Sequence, residues 1–226
     1  AAWNTALKLA VIILLVTAPL QAVHGDAYGR HVADTQPQKL AAMEAHYDTG
    51  TADLHLLAFP KSIDAITDPK AENLFTVSLP GVGSFLATGG DFDAEVLGLN
   101  EYEENPPVAI VFWSFRFMVG LGFLFIGLAL WGGYLIYNGR LSKSNRFLKT
   151  MIAASPLGYA ALLTGWYVTE IGRQPWVIQD ELRTSEAVSS TLSGSEATLT
   201  LVGFVVIYIG LILVALHVLR WLVEDE

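Results

Sequence analysis

The chain has 226 residues, 53% of them hydrophobic and 15% charged, with a net charge of −9 and no cysteine. Its mean hydropathy of +0.45 exceeds what one soluble core requires, so the surplus apolar surface belongs in lipid. The absence of cysteine excludes disulfides, thiolate zinc sites, iron–sulfur clusters and thioether-linked haem, leaving His, Met or carboxylate as ligands for any redox centre. The acidity argues against nucleic acid as a partner.

The first apolar run covers about Leu7–Val23, and roughly 20 apolar residues suffice to cross about 30 Å of hydrocarbon. Lys8, the run from Leu9 to Leu20 and the small residues Ala18 and Ala22 also fit a secretory signal. The chain opens Ala1-Ala2-Trp3 without an initiator methionine, which favours a membrane helix within a longer sequence. Residues 23–107 hold 14 Asp or Glu against 4 Lys or Arg, so this one segment accounts for the net acidity. In it, Asp34 and Thr35 are cap candidates, Pro37 suits a first helical turn, and Lys39 to His46 reads as one short helix. The remainder, punctuated by Gly81, Gly83, Gly89, Gly90 and Pro106-Pro107, reads as an ordered but irregular cap.

The second span, Val108–Tyr137, contains Phe112-Trp113-Ser114-Phe115-Arg116-Phe117-Met118. A charge at membrane depth costs at least about 2.5–3.5 kcal/mol, so Arg116 should face protein or a bound anion; snorkelling to the interface is the alternative. Met118 lies about 200° around the helix from Arg116, and a lone methionine there is first a packing residue. Asn138 to Lys149 carries Arg140, Lys143, Arg146 and Lys149 without an acid, which places this short loop in the cytoplasm and residues 24–107 on the outer face.

The third span, about Thr150–Ile171, ends in Trp166, Glu170 and Arg173, followed by Gln174-Pro175-Trp176. Spacings of i, i+4 and i+7 stack these three on one stripe if the helix continues through Gly172. An interfacial aromatic belt with Glu170 paired to Arg173 explains them as well as a ligand site does. The fourth span is about Leu199–Val223, where His217 beside Arg220 fits an interfacial anchor. His24, His31, His46 and His55 show no ligand spacing. Together these elements predict an all-α integral membrane protein with four transmembrane helices: one in residues 1–23, a large irregular outer loop over 24–107, and three more helices over 108–226.

Three segments taken together resemble subunit I of cytochrome bd-type ubiquinol oxidases: Gly165-Trp166 with Glu170, Gly172-Arg173-Gln174-Pro175-Trp176; Phe112 to Met118; and Gln36-Pro37 with Lys39 to Ala45. The similarity runs over essentially the whole chain and corresponds to the later half of that subunit, its sixth to ninth membrane helices with a quinol-binding loop of the short kind. The resemblance implies that Met118 is the axial ligand of a low-spin haem b with Arg116 nearby, and that Glu170 is the axial ligand of a high-spin haem b. It further implies that Trp166 lies between haems in electron transfer, that Arg173 sits beside that site, and that Lys39 and Glu44 bind and oxidise quinol. A third haem, d or b, the histidine ligands and the carboxylates of the proton route would come from the N-terminal half of subunit I. Subunit II, quinol, O2 and the lipid bilayer are the further partners implied, with the quinol loop outside the cytoplasmic membrane. The competing reading is a non-catalytic split or truncated subunit that scaffolds a partner or binds haem weakly.

Overall fold

Glycine shapes the first helix contact. In the computed structural model, which describes residues 2–61, 72–189 and 191–224, helices α1 (Ala2–Thr35) and α4 (Val108–Tyr137) pack together. Val11 of α1 lies 2.7 Å from the point where a Cβ on Gly132 would stand, and the Phe147 ring lies 2.9 Å from the same point. Small residues are how membrane helices approach closely when lipid offers no hydrophobic drive to association. Val11, Leu135, Leu141 and Phe147 form a core at this end.

α1 does not stop where the apolar run stops. It continues through residues 24–35, expected to be loop, up to Thr35. An i,i+4 ion pair between Arg30 and Asp26 at 2.8 Å and the buried Val32 support this polar extension. Asp34 and Thr35 therefore end α1 and do not cap the next helix; α2 spans Pro37–Glu44 with Gln36 at its N-cap, and proline at the first position as expected. Ala45 turns into the left-handed region at φ 50°, and His46 N–H donates to the Ala41 carbonyl at 2.9 Å, which closes the helix short of the expected His46.

The following segment is more regular than its sequence suggests. β1 (Gly50–Thr51) pairs antiparallel with β4 (Glu95–Val96), and β2 (Leu54–Pro60) pairs with β3 (Asn73–Leu79), with α3 (Val82–Thr88) between β3 and β4. These ribbons sit on the helices as part of the cap, so the helices still define the fold. A second core forms where the cap meets them: Val32, Ala41, Ala42, Met43 and Ala45 pack with Leu99, Val108, Val111, Phe112 and Val168.

The third span, expected to be continuous, is two helices, α5 (Asn145–Ala154) and α6 (Leu157–Ile171). Pro156 at the junction has no N–H to donate, which interrupts the ladder; the Ser144 hydroxyl accepts from Phe147 N–H at 3.4 Å to start α5. β5 (Trp176–Ile178) and β6 (Leu182–Arg183) form a ribbon after α6. Residues 2–61 and 72–184 belong to one compact unit; the described residues from 185 on belong to a second, whose helix α7 spans Gly194–Glu224. α1, α4, the α5–α6 pair and α7 are long and apolar enough to cross a membrane.

Candidate functional site

Three elements, α2, α4 and α6, converge at the cap end of the helices. α2 lies against α4, and α4 against α6; the face of α6 turned to this packing carries Gly165, Val168 and Gly172, which are three and four residues apart as one helical face requires. Val168 and Gly172 are buried there.

Lys39 is buried on α2, 7% exposed. Its Nζ donates to the Thr169 carbonyl at 3.3 Å and to Gln36 Oε1 at 3.5 Å, and its Cγ passes 3.3 Å from where a Cβ on Gly172 would be. Both bonds are long, so the ammonium is weakly satisfied. Burial pushes its pKa below the ordinary 10.5, Arg173 adds to that shift, and Glu170 opposes it.

Glu44 ends α2 and meets Arg116 of α4. The guanidinium forks onto the carboxylate, Nη2 against Oε2 and Nη1 3.4 Å from Oε1. Its Nε donates to the His55 carbonyl at 2.6 Å, and its centre lies 4.7 Å from the Phe112 ring and 5.3 Å from that of Phe115. The two side chains are only 13% and 12% exposed. Burial pushes the Glu44 carboxyl above its usual value, and the Arg116 charge and hydrogen bonds pull the other way. The requirement that Arg116 face protein or an anion is thus met by a carboxylate of the same chain.

Met118, two residues beyond Arg116 on α4, lies in the groove between α4 and α6, its Sδ 2.9 Å from the position of a Cβ on Gly165. Trp166 and Glu170 occupy a different face of α6: Trp166 is 57% exposed, and the Glu170 side chain, 48% exposed, lies 3.6 Å from Arg173 Nε. The helix ends at Ile171, and the chain turns through 172–175, so Arg173 reaches back to the Thr169 carbonyl at 3.3 Å without continuing the stripe. Lys39, Glu44, Arg116 and Met118 therefore gather on the α2–α4–α6 packing, and Trp166, Glu170 and Arg173 stand on the open side.

The donors suit the haems that the resemblance implies. A half-buried thioether beside a glycine notch and an outward carboxylate with one weak partner would each offer a single axial ligand to such a group. Among the described residues no three of His, Asp or Glu converge.

Sequence reasoning missed a polar seam joining the loop to the segment after α6. Gln38 donates to Glu104 O and, at 3.2 Å, to Asn105 Oδ1; Gln179 donates to Gln38 at 3.4 Å; Arg183 pairs with Glu104 at 3.0 Å and lies 5.1 Å from the Trp176 ring. Contacts between residues so far apart in sequence leave no local signal. Two of the histidines bond backbone carbonyls: His46 Nε2 donates to Val96 O at 3.2 Å and His55 Nδ1 to Glu44 O at 2.7 Å. A cleft of about 310 Å³ opens beside this seam, lined by Thr35, Gln36, Arg173, Trp176 and Gln179 among others.

The family model for cytochrome bd terminal oxidase subunit I matches residues 1–226. The chain is 32% identical over 224 residues to cytochrome bd ubiquinol oxidase subunit 1 of Bacillus subtilis (strain 168), covering 93% of this chain and 47% of that protein. It is 28% identical over 235 residues to cytochrome bd-II ubiquinol oxidase subunit 1 of Escherichia coli (strain K12), covering 76% and 46%. The putative cytochrome bd menaquinol oxidase subunit I of Bacillus subtilis (strain 168) is 33% identical over 193 residues, covering 82% and 41%. The solved structure of bd oxidase from Geobacillus thermodenitrificans superposes with a TM-score of 0.77 at 29% identity, covering 99% of this chain and 50% of that one. The chain spans about half the length of the curated relatives it matches. With its full length matched and its helices superposing on those of a solved oxidase, the chain belongs to the cytochrome bd terminal oxidase subunit I family.

Proposed function

We propose that this chain is the quinol-oxidising and haem-carrying later half of subunit I in a membrane quinol:oxygen oxidoreductase that reduces O2 to water. The rest of subunit I and subunit II complete the assembly. The observation that carries the reading is the placement of Lys39 and Glu44 on one buried loop helix, pinned directly to the two helices that bear Met118 and Glu170.

In this reading the loop faces the outer side of the cytoplasmic membrane, supported by Arg140, Lys143, Arg146 and Lys149 at the opposite helix ends. Quinol reaches the cap from the bilayer, and its head group enters beside Gln36 and Arg173. Lys39, with two long bonds and a depressed pKa, has donor capacity left to orient a quinol oxygen. Glu44 takes up the proton that the oxidised quinol releases, and burial raises its affinity for that proton. When bound, haem b at Met118, haem b at Glu170 and a third haem, d or b, supply one-electron storage and oxygen chemistry. Met118 gives a soft thioether and Glu170 a hard carboxylate, and this difference sets the two haem sites apart. Trp166 offers an aromatic ring on the Glu170 face, and Arg173 counters the charge there.

In the complete oxidase, Glu44→Gln lowers quinol turnover about 10²-fold or more while dithionite, which bypasses the quinol site, still reduces the haems. Full quinol turnover in this variant would instead make Glu44 a purely structural anchor.

A further inference from the structure

Glu44 has a second titratable neighbour besides Arg116. The His55 ring donates through Nδ1 to the Glu44 carbonyl at 2.7 Å, and the His55 carbonyl accepts from Arg116 Nε at 2.6 Å while that guanidinium forks onto the Glu44 carboxylate. His55 thus closes a ring of contacts around the acid. Burial holds the Glu44 carboxyl above its ordinary range, and the charges of Arg116 and His55 both act against that rise, so the imidazole lies within electrostatic reach of the carboxyl. A carbonyl can only accept, so Nδ1 carries the hydrogen of a neutral ring and Nε2 holds the lone pair. Among the described residues Nε2 has no hydrogen-bond partner.

Exposure rises away from Glu44. Its side chain is 12% exposed, His55 and Asp53 are half-buried, and Asp48 is exposed. Asp53 precedes His55 by two residues, so the two side chains share one face of the strand. Ser78 stands opposite His55 in the β2–β3 pairing, and the Asp53 carboxylate accepts from the Ser78 hydroxyl at 3.2 Å and from Gly81 N–H at 3.1 Å. The other imidazole in this region, His46, is buried and donates to Val96 O, and burial lowers its pKa, which makes it the poorer proton acceptor.

We propose that His55 is the relay by which a quinol proton leaves Glu44 for the outer surface: Nε2 takes the proton from the Glu44 carboxyl through water and yields it to solvent beside Asp53. The proposal rests on Glu44 being the group that receives the quinol proton. In each transfer one O–H bond of Glu44 breaks, one N–H bond of His55 forms, and no electron moves. The imidazolium then loses that proton from Nε2, so Nδ1 keeps its hydrogen and its bond to the Glu44 carbonyl throughout. An imidazole takes up and gives off protons near neutral pH, as such a step requires. The Asp53 carboxylate on the same face favours the transient positive charge.

Chemical rescue tests it. Quinol kcat and the haem spectra of the complete oxidase are measured in dilute buffer for Glu44→Gln, His55→Asn and His55→Ala, with imidazole or sodium chloride added at matched ionic strength. Asparagine offers an amide N–H where Nδ1 stood, so it keeps the bond to the Glu44 carbonyl but carries no proton; alanine leaves room for a free imidazole. The relay predicts that both His55 variants lose about tenfold or more in kcat, less than Glu44→Gln loses, because water replaces part of a relay but not the acceptor itself. Haem spectra and reduction by dithionite stay unchanged. Imidazole restores most of the turnover of His55→Ala, and sodium chloride restores none. Full turnover in His55→Asn, or a loss in His55→Ala that imidazole does not repair, would overturn the relay while leaving Glu44 as the proton acceptor. Full turnover in Glu44→Gln would overturn both readings. Should His55→Ala fail to assemble, His55→Asn decides: a loss with an enlarged solvent deuterium isotope effect on kcat supports the relay, and a loss with an unchanged one overturns it.

Discussion

Lys39→Met tests whether the buried ammonium is there for the fold or for the substrate. Its two bonds, at 3.3 and 3.5 Å, lie beyond the usual N–H···O range, so together they contribute at most about 3 kcal/mol. Withdrawing an ammonium from water costs several kcal/mol. The two terms leave Lys39 neutral or costly for folding, and methionine keeps most of the stem that packs on Gly172. The expected result is an oxidase with intact haem spectra and a loop no more open to limited proteolysis. A lost charged hydrogen bond to a quinol oxygen is worth about 1.5–3 kcal/mol, so KM for a soluble short-chain quinol rises roughly 10–100-fold at about 1.4 kcal/mol per tenfold, with kcat changed far less. An unchanged KM together with a loosened, protease-sensitive loop would refute the reasoning and make Lys39 a structural clasp.

The same lysine predicts an alkaline limit. Its pKa is held below 10.5, so the docked loop sheds this proton before the undocked loop does, and between the two values raising pH favours docking while removing the ammonium from the quinol; kcat/KM for quinol should therefore fall at a pH below 10.5, and Lys39→Met should abolish that limb. Met118→Leu should erase the low-spin haem spectrum and leave the high-spin one, and Glu170→Gln should do the reverse, since each removes one axial ligand; an unchanged spectrum in either would return that residue to packing. A cysteine at the exposed Ser142 should react with an impermeant thiol reagent only after cells are opened, and labelling from outside would invert the membrane orientation.

The second span, α4, was legible to the residue, because Val108–Tyr137 is apolar nearly throughout and preceded by Pro106-Pro107. The break at Pro156 was visible in the letters but masked by hydropathy, which averages across a proline. Residues 24–35 were read as loop because they are polar; they stay helical because the Arg30–Asp26 pair and the buried Val32 give that stretch neighbours a window average does not see. The strands of the cap are short, and the bulges in the β2–β3 pairing spoil the two-residue alternation that would announce them. At the site, an arginine inside an apolar helix demanded a partner, and this much followed from the physics of the bilayer. That the partner is Glu44, 72 residues away, and that His55 closes the ring, depend on long-range packing with no local signature.

The length of α1 carries a consequence for how the chain tolerates change. Its 34 residues extend about 51 Å at 1.5 Å each, some 20 Å more than the hydrocarbon needs, and the surplus is a rigid mast on which α2 and α3 are docked. Deleting one residue from the mast lowers the cap by about 1.5 Å and swings it through about 100°, carrying Lys39 away from α6. Only steps of seven or eleven residues bring the same side of the helix back to within about 20°. The turns between the cap ribbons are under no such constraint, so length variation among relatives should accumulate in those turns, while the mast changes in whole multiples of its pitch or not at all.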